Sequence, residues 1–149
     1  MALAMPTLLP LAQAIEGLDG RVQDAADFSE MMKNNRLPQV CPAGFVLPMG
    51  LRGGSVDAVT GMYRQNVAWH EGVVLVVRSS DDATGAKSKK QLRPLIIATI
   101  GAVAGAPATA DGDDFGVWRL VKGELLSLAG GGLIYQLDFA IDDQVRIPR

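Results

Sequence analysis

The stretch YRQNVAWHEGVVLVV, residues 63–77, changes its pattern partway along and holds the only histidine of the chain, His70. In its first half Tyr63, Gln65, Val67 and Trp69 take the odd positions, and Arg64, Asn66, Ala68 and His70 the even ones. A period of two marks a strand with one wet face. After Gly72 the alternation stops, and Val73, Val74, Leu75, Val76 and Val77 are apolar on both faces. Such a half-strand must be covered on both sides, by a helix on one and by another layer on the other. Gly72, at the changeover, predicts a bulge or bend. A strand that is wet on one face and then apolar on both suits a sheet that leaves its own core and enters a neighbour's. The stretch therefore reads as assembly surface.

Working outward towards the N-terminus, Leu8, Leu11, Ala12, Ile15 and Leu18 recur at helical spacing, with Gly17 and Gly20 available to end the run. Asp24 can cap a second helix, AADFSEMMKNN, in which Phe28, Met31 and Met32 form an apolar stripe and Asn34 and Asn35 supply a stop. FVLPMG, residues 45–50, predicts a short strand, and Pro48 places it at an edge or a strand end. LRGGSVDAVTG, residues 51–61, has three glycines and no periodicity and predicts a mobile loop.

Towards the C-terminus, residues 79–85 are turn chemistry that can cap the next helix through Asp82 or Thr84. Leu92, Leu95, Ile96, Thr99, Ile100 and Val103 form one face of that helix, and Pro94 predicts a kink or break near residue 93. A small-residue loop at 106–116 precedes three strand candidates, 117–121, 124–128 and 133–142. Lys122 and Gly123 would join the first two as a hairpin, and AGGG the last two. Leu133, Tyr135, Leu137, Phe139 and Ile141 share a face of the last strand, a surplus of apolar sheet that a homo-oligomer could cover. The expected class is α+β: a largely antiparallel sheet of four to five strands with two to three helices, in one domain spanning 1–149.

At 149 residues, 48% hydrophobic and 20% charged, the chain can bury a core without staples and lacks the signature of disorder. A net charge of −2 argues against a dedicated nucleic-acid binder. The basic run 87–93 fits a solvated helix face. The N-terminal MALAMPTLLPLAQA lacks a positive start and contains two prolines, unlike a signal peptide. Residues 94–110 are uncharged, but two glycines, a second proline and a high alanine content favour a buried helix over a membrane span.

Catalytic chemistry finds little foothold. Cys41 is alone, so neither an intrachain disulfide nor a thiolate zinc site can form, and a reducing compartment fits best. A Cys41 nucleophile with a His70 base is the enzyme alternative, and it needs a contact that no motif supports. Asp111, Asp113 and Asp114 in DGDD could hold a hard cation, yet counting Asp111 as the first position of an EF-hand loop puts Lys122 where the glutamate belongs. AGGGL lacks the lysine and hydroxyl of a P-loop, and no serine sits in a GxSxG elbow. No cofactor, metal or catalytic site is expected. Candidate interface residues are Arg52, Arg64, Asn66, His70, Asp111, Asp113 and Asp114, because loops on a rigid sheet tend to carry function.

Read together, GRVQDAADF, GFVLPMG, VTGMYRQNVAWHEGVVLVVRSSDD, the helix with QLRPLI, and GELLSLAGGGLIYQLDFAIDDQVR resemble the small tail terminator proteins of long-tailed bacteriophages, from Gly20 to Arg146. The chain departs from that pattern at GAVAGAPATADGDD, which is richer in alanine and glycine. The resemblance implies a non-enzymatic virion protein, assembled in the host cytoplasm. It would form a homo-oligomeric ring, typically of six subunits, on the head-proximal end of the tail tube. Such a ring stops tube polymerisation and offers a joining surface to a neck or head-completion protein. The tail tube protein would be the partner on the other face, genomic DNA would pass through the lumen without sequence-specific binding, and no membrane is involved. A neck protein of the same virion is the alternative within this class.

Overall fold

The computed structural model describes residues 5–78, 86–108, 116–129 and 132–149. In chain order these form α1 (Leu9–Gln13), β1 (Val22–Gln23), α2 (Ala25–Asn34), β2 (Ala43–Val59), β3 (Met62–Arg78), α3 (Ala86–Val103), β4 (Arg119–Ala129) and β5 (Gly132–Pro148). The strands make one sheet in the order β1-β2-β3-β5-β4. Every pairing is antiparallel except that of the two-residue β1 with β2. The α+β class, the strand number and the helix number are thus as expected.

β3 lies at the centre, with β2 and β5 beside it over nearly its whole length. Met62 faces Val59 and Pro148 at one end, and Val76 faces Ala43 and Ile134 at the other. Its apolar half is covered by helices on both sides. On one face Val73, Leu75 and Val77 join Leu133, Leu137, Phe139 and Ile141 under Leu8 and Ala12 of the α1 region and Leu92, Leu95 and Val103 of α3. On the other, Val74 and Val76 join Phe45 and Ile134 under Met31 of α2, with the Phe28 ring tilted against that of Phe45, centroids 5.4 Å apart. Val73 to Val77 are fully buried, a gain of about 1.5–3 kcal/mol for each side chain. The chain therefore supplies its own cover for the doubly apolar half and for the odd-numbered face of β5 as far as Ile141. The half that projects is the alternating one.

Several local expectations are corrected. Residues 51–59 are strand rather than loop, because β3 offers their backbone a complete antiparallel partner. The reversal is confined to Thr60 and Gly61, where Gly61 has φ 87°. Gly72 is regularly paired with Leu47 and Asp138, and the bulge lies beside it in β2, at Met49. A Cβ there would meet the Met49 sulfur at 2.9 Å, so the Met49 side chain would have to shift. Gly123 is no turn either. It pairs with Leu137 inside β4, and the Tyr135 hydroxyl lies 2.8 Å from where its Cβ would be. Strand β5 runs on to Pro148, six residues past the expected end. Pro94 sits inside a continuous α3, its ring on the exposed side. α1 has only five residues, though Leu8, Ala12, Ile15 and Leu18 are all buried as their spacing predicts.

The cap at Asp24 is as expected. Its carboxylate accepts from the Asp27 N–H at 3.0 Å, Asp27 reciprocates, and Asn35 ends α2 in the left-handed region. Helix α3 buries Leu92, Leu95, Thr99 and Val103, half-buries Ile96 and Ile100, and leaves its basic residues exposed. The expected caps at Asp82 and Thr84 and most of the 106–116 loop lie outside the described residues, as does the centre of the AGGG turn. Among the described residues no helix is long and apolar enough to cross a membrane.

Candidate assembly interface

Past the core, β2, β3 and β5 continue together towards the Thr60–Gly61 turn as a three-stranded arm. β2 is exposed from Leu51 to Val59, and none of those residues joins either core cluster. The strands hold one another through side chains as well as backbone. Asn66 Nδ2 donates to Ser55 Oγ at 2.8 Å and Gln144 Nε2 donates to Asn66 Oδ1 at 3.3 Å, while within β5 Arg146 Nε donates to Gln144 Oε1 at 2.5 Å. On the opposite face Tyr63 Oη donates to Gln65 Oε1 at 2.8 Å, and Gln65 Nε2 donates to the Gly54 carbonyl at 3.3 Å.

The two faces differ in chemistry. Register puts Arg52, Asp57, Arg64, Asn66, His70, Asp142, Gln144 and Arg146 on one face. Leu51, Val56, Tyr63, Val67, Trp69, Val145 and Ile147 lie on the other, with Gln65 and Asp143 among them. Four of the candidate residues, Arg52, Arg64, Asn66 and His70, are therefore brought to one surface. Asp111, Asp113 and Asp114 lie outside the described residues.

His70 pairs with Gly50 and Ala140. Its pKa is held below 6.5, first by burial and then by the positive charges of Arg52 and Arg119, with Asp138 and Asp142 opposing. Arg119 donates to both carboxylate oxygens of Asp142, at 3.5 and 3.3 Å.

At the root of the arm Glu71 is buried on the apolar side. Its Oε1 accepts from the Leu8 N–H at 2.8 Å and from the Thr7 hydroxyl at 3.0 Å, tying the entry of α1 to the sheet. Burial pushes the carboxyl above its usual 4.5, opposed by the Leu8 and Thr7 donors and by the Trp69 side chain. That indole N–H, although buried, completes no hydrogen bond of good geometry among the described residues. On the polar side Asp138 is buried, accepts from Gln136 Nε2 at 2.6 Å and lies 3.8 Å from Lys122 Nζ.

Sequence reasoning passed over Glu71, Gln136 and Asp138. The available signal was a polar residue flanked by a fully apolar run, as in EGVVLVV.

The geometry separates the enzyme alternative's two residues. Ala43 pairs with Val76, six positions along β3 from His70, a run of about 20 Å. Cys41 lies just beyond Ala43, at the far end from the arm. Its thiol donates to the Pro38 carbonyl at 3.4 Å, and burial pushes its pKa up against the pull of Arg78 and Arg21, which disfavours the thiolate a nucleophile requires. Among the described residues no group of three or more His, Cys, Asp or Glu side chains could hold a metal ion.

Among the described residues the sheet has two unpaired edges, β2 beyond the short β1 and β4 from Arg119 onward. Both carry exposed apolar side chains: Met49, Leu51, Val56 and Val59 on one, Leu120, Val121, Leu125 and Leu126 on the other.

A chain of the virion of a native gene transfer agent particle has the same fold, with a TM-score of 0.56 and 12% identity over 93% of this chain and 92% of that one. No curated protein matches. The model of the phage tail terminator protein family matches residues 6–149. A sheet whose β2 strand is exposed from Leu51 to Val59 is thus found in a chain that belongs to the phage tail terminator protein family.

Proposed function

We propose that this chain, acting as one domain over 1–149, forms a ring of six subunits on the head-proximal end of a phage tail tube. The ring stops tube polymerisation with one face and presents the other to the neck or head-completion protein, and DNA passes through its lumen without sequence-specific contacts. It works by interface complementarity rather than by catalysis, and it is assembled in the host cytoplasm before becoming part of the virion.

Family membership makes the protein a structural component of the tail. The observation that carries the finer reading is the arm: a three-stranded extension whose β2 strand is exposed from Leu51 to Val59 and whose strands are tied together by side-chain hydrogen bonds. Ordered sheet left uncovered by its own core is what an assembly surface requires. Arg52, Arg64, Asn66 and His70 would contribute to it, and Asp111, Asp113 and Asp114 to a neighbouring contact.

Native mass spectrometry and negative-stain microscopy of the purified protein test the reading, alone and mixed with tail tubes. Six-fold rings capping one tube end are expected. Persistent monomers in the presence of tubes would overturn it, and co-purification with heads instead of headless tubes would move the protein to the neck.

A further inference from the structure

We infer that neighbouring copies join edge to edge, the β4 edge of one pairing antiparallel with the β2 edge of the next, in a register that places Arg119 opposite Asp57 and Glu124 opposite Arg52. This deepens the ring reading and rests on it.

Direction comes first. In one chain β4 runs antiparallel to β2, because three successive antiparallel pairings separate them. When the next copy is added head to tail with its strands in the same sense, its β2 lies antiparallel to β4. The sheet then continues without a break in its alternation. Contacts between two different edges are heterologous, and heterologous contacts are the kind that generate rings.

The register follows from side chains. Arg119 and Glu124 are five residues apart, and so are Arg52 and Asp57. In a regular strand residues five apart point to opposite faces. Here each pair shares the polar face, because each interval contains one irregularity: between Leu120 and Lys122 in β4, and between Gly53 and Val56 in β2. The two edges therefore match in spacing, in face and in the position of the extra residue. The antiparallel alignment that sets Arg119 against Asp57 necessarily sets Glu124 against Arg52, opposite charges at both places.

The same alignment, with no further adjustment, orders the apolar side. Leu120 falls opposite Val56 and Leu125 opposite Leu51, all four on the other face of the sheet. The pairing starts at Arg119, because Gly105 to Pro107 of the same chain already bond the backbone at Val117 and Trp118. These four side chains are between 40% and 54% exposed in the single chain. Directly opposed aliphatic and opposite-charge pairs are the unit of sheet stabilisation. Arg119 keeps donors for Asp57 while holding Asp142, since a guanidinium has five.

The join is also staggered. Within one chain Arg119 shares a row with Gly50, through Ala140 and His70, whereas its partner in the next copy is Asp57, seven positions further along β2. Closing a sheet upon itself requires tilted strands and a stagger of this kind.

Cysteine cross-linking tests the register. In a Cys41→Ser background, Leu51→Cys and Leu125→Cys lie on opposite edges of one chain, at least about 14 Å apart across three strand spacings, beyond disulfide reach. Mild oxidation of assembled protein is expected to give a ladder of disulfide-linked multimers ending at the ring size. The out-of-register pair Leu51→Cys with Val121→Cys should give none. Asp57→Arg alone should shift rings to monomers in native mass spectra, and Asp57→Arg with Arg119→Asp should restore them. Rings that form normally but give no Leu51–Leu125 cross-link, or that ignore Asp57→Arg, would overturn this join and leave the ring reading standing. A chain that never self-associates, even on tubes, would overturn both.

Discussion

Glu71 occupies the least ordinary environment of any carboxylate described: buried on the helix-covered face, with its hydrogen bonds spent on the chain's own N-terminal segment. Because burial raises its folded pKa, the unfolded chain releases this proton near 4.5 while the folded one still holds it. Its contribution to stability is complete below pH 4.5 and is lost as pH rises through the folded value. Glu71→Gln should remove that decline, which urea midpoints across a pH series will show as a flatter curve. Glu71→Ala should cost about 1–3 kcal/mol by leaving the Leu8 N–H unsatisfied. His70 acts in the opposite sense. Its folded pKa lies below 6.5, so its contribution is present above that value and is lost as pH falls through the folded one. His70→Gln should flatten that side of the curve alone. His70's place on the polar face was legible from parity. The burial of Glu71 was not, because parity also puts it on the odd face and only the packing of residues 7 and 8 decides that this part of the face is closed.

The elements divide by what holds them. α2 was readable in its bounds, because its cap and its stop are local chemistry, but of the expected stripe only Phe28 and Met31 pack on the core and Met32 is exposed. Asp24→Ala should therefore cost about 1 kcal/mol, measurable as a lowered thermal midpoint with the fold unchanged. β4 was misread as two strands, since Lys-Gly resembles a hairpin turn in sequence. The glycine is there because Tyr135, on the neighbouring strand, lies across its backbone. Gly123→Val should thus destabilise by about 1–3 kcal/mol through overpacking, whereas a residue in a true exposed turn would accept the change nearly free. Equal stability of this variant in urea would mean that Tyr135 moves aside. Residues 51–59 were missed for the converse reason. Two adjacent glycines and a weak pattern carry no strand signal of their own, and only the long partner β3 makes them a strand.

In the whole molecule, a helix-covered half and a bare half share the same long strands, and they should differ in dynamics. Amides of residues 51–59 are expected to exchange with solvent faster than those of 73–77 in the isolated chain, and to slow on assembly, as hydrogen exchange by mass spectrometry will show. Equal protection in monomers would mean that the arm is covered by its own chain. Leu75→Ala, in the covered half, should cost about 2–5 kcal/mol. The sequence by itself determined the α+β class, the capped α2, the buried face of α3, and the point at Gly72 where β3 changes character, because each rests on periodicity or turn chemistry within a few residues. Only the tertiary structure decided which half of β3 is enclosed. Apolar residues on both faces demand two covers but do not say whose. Here α1 with α3 and α2 close over Val73–Val77 from the two sides, leaving the alternating half, with its polar ladder and its free edges, as the part available to other chains.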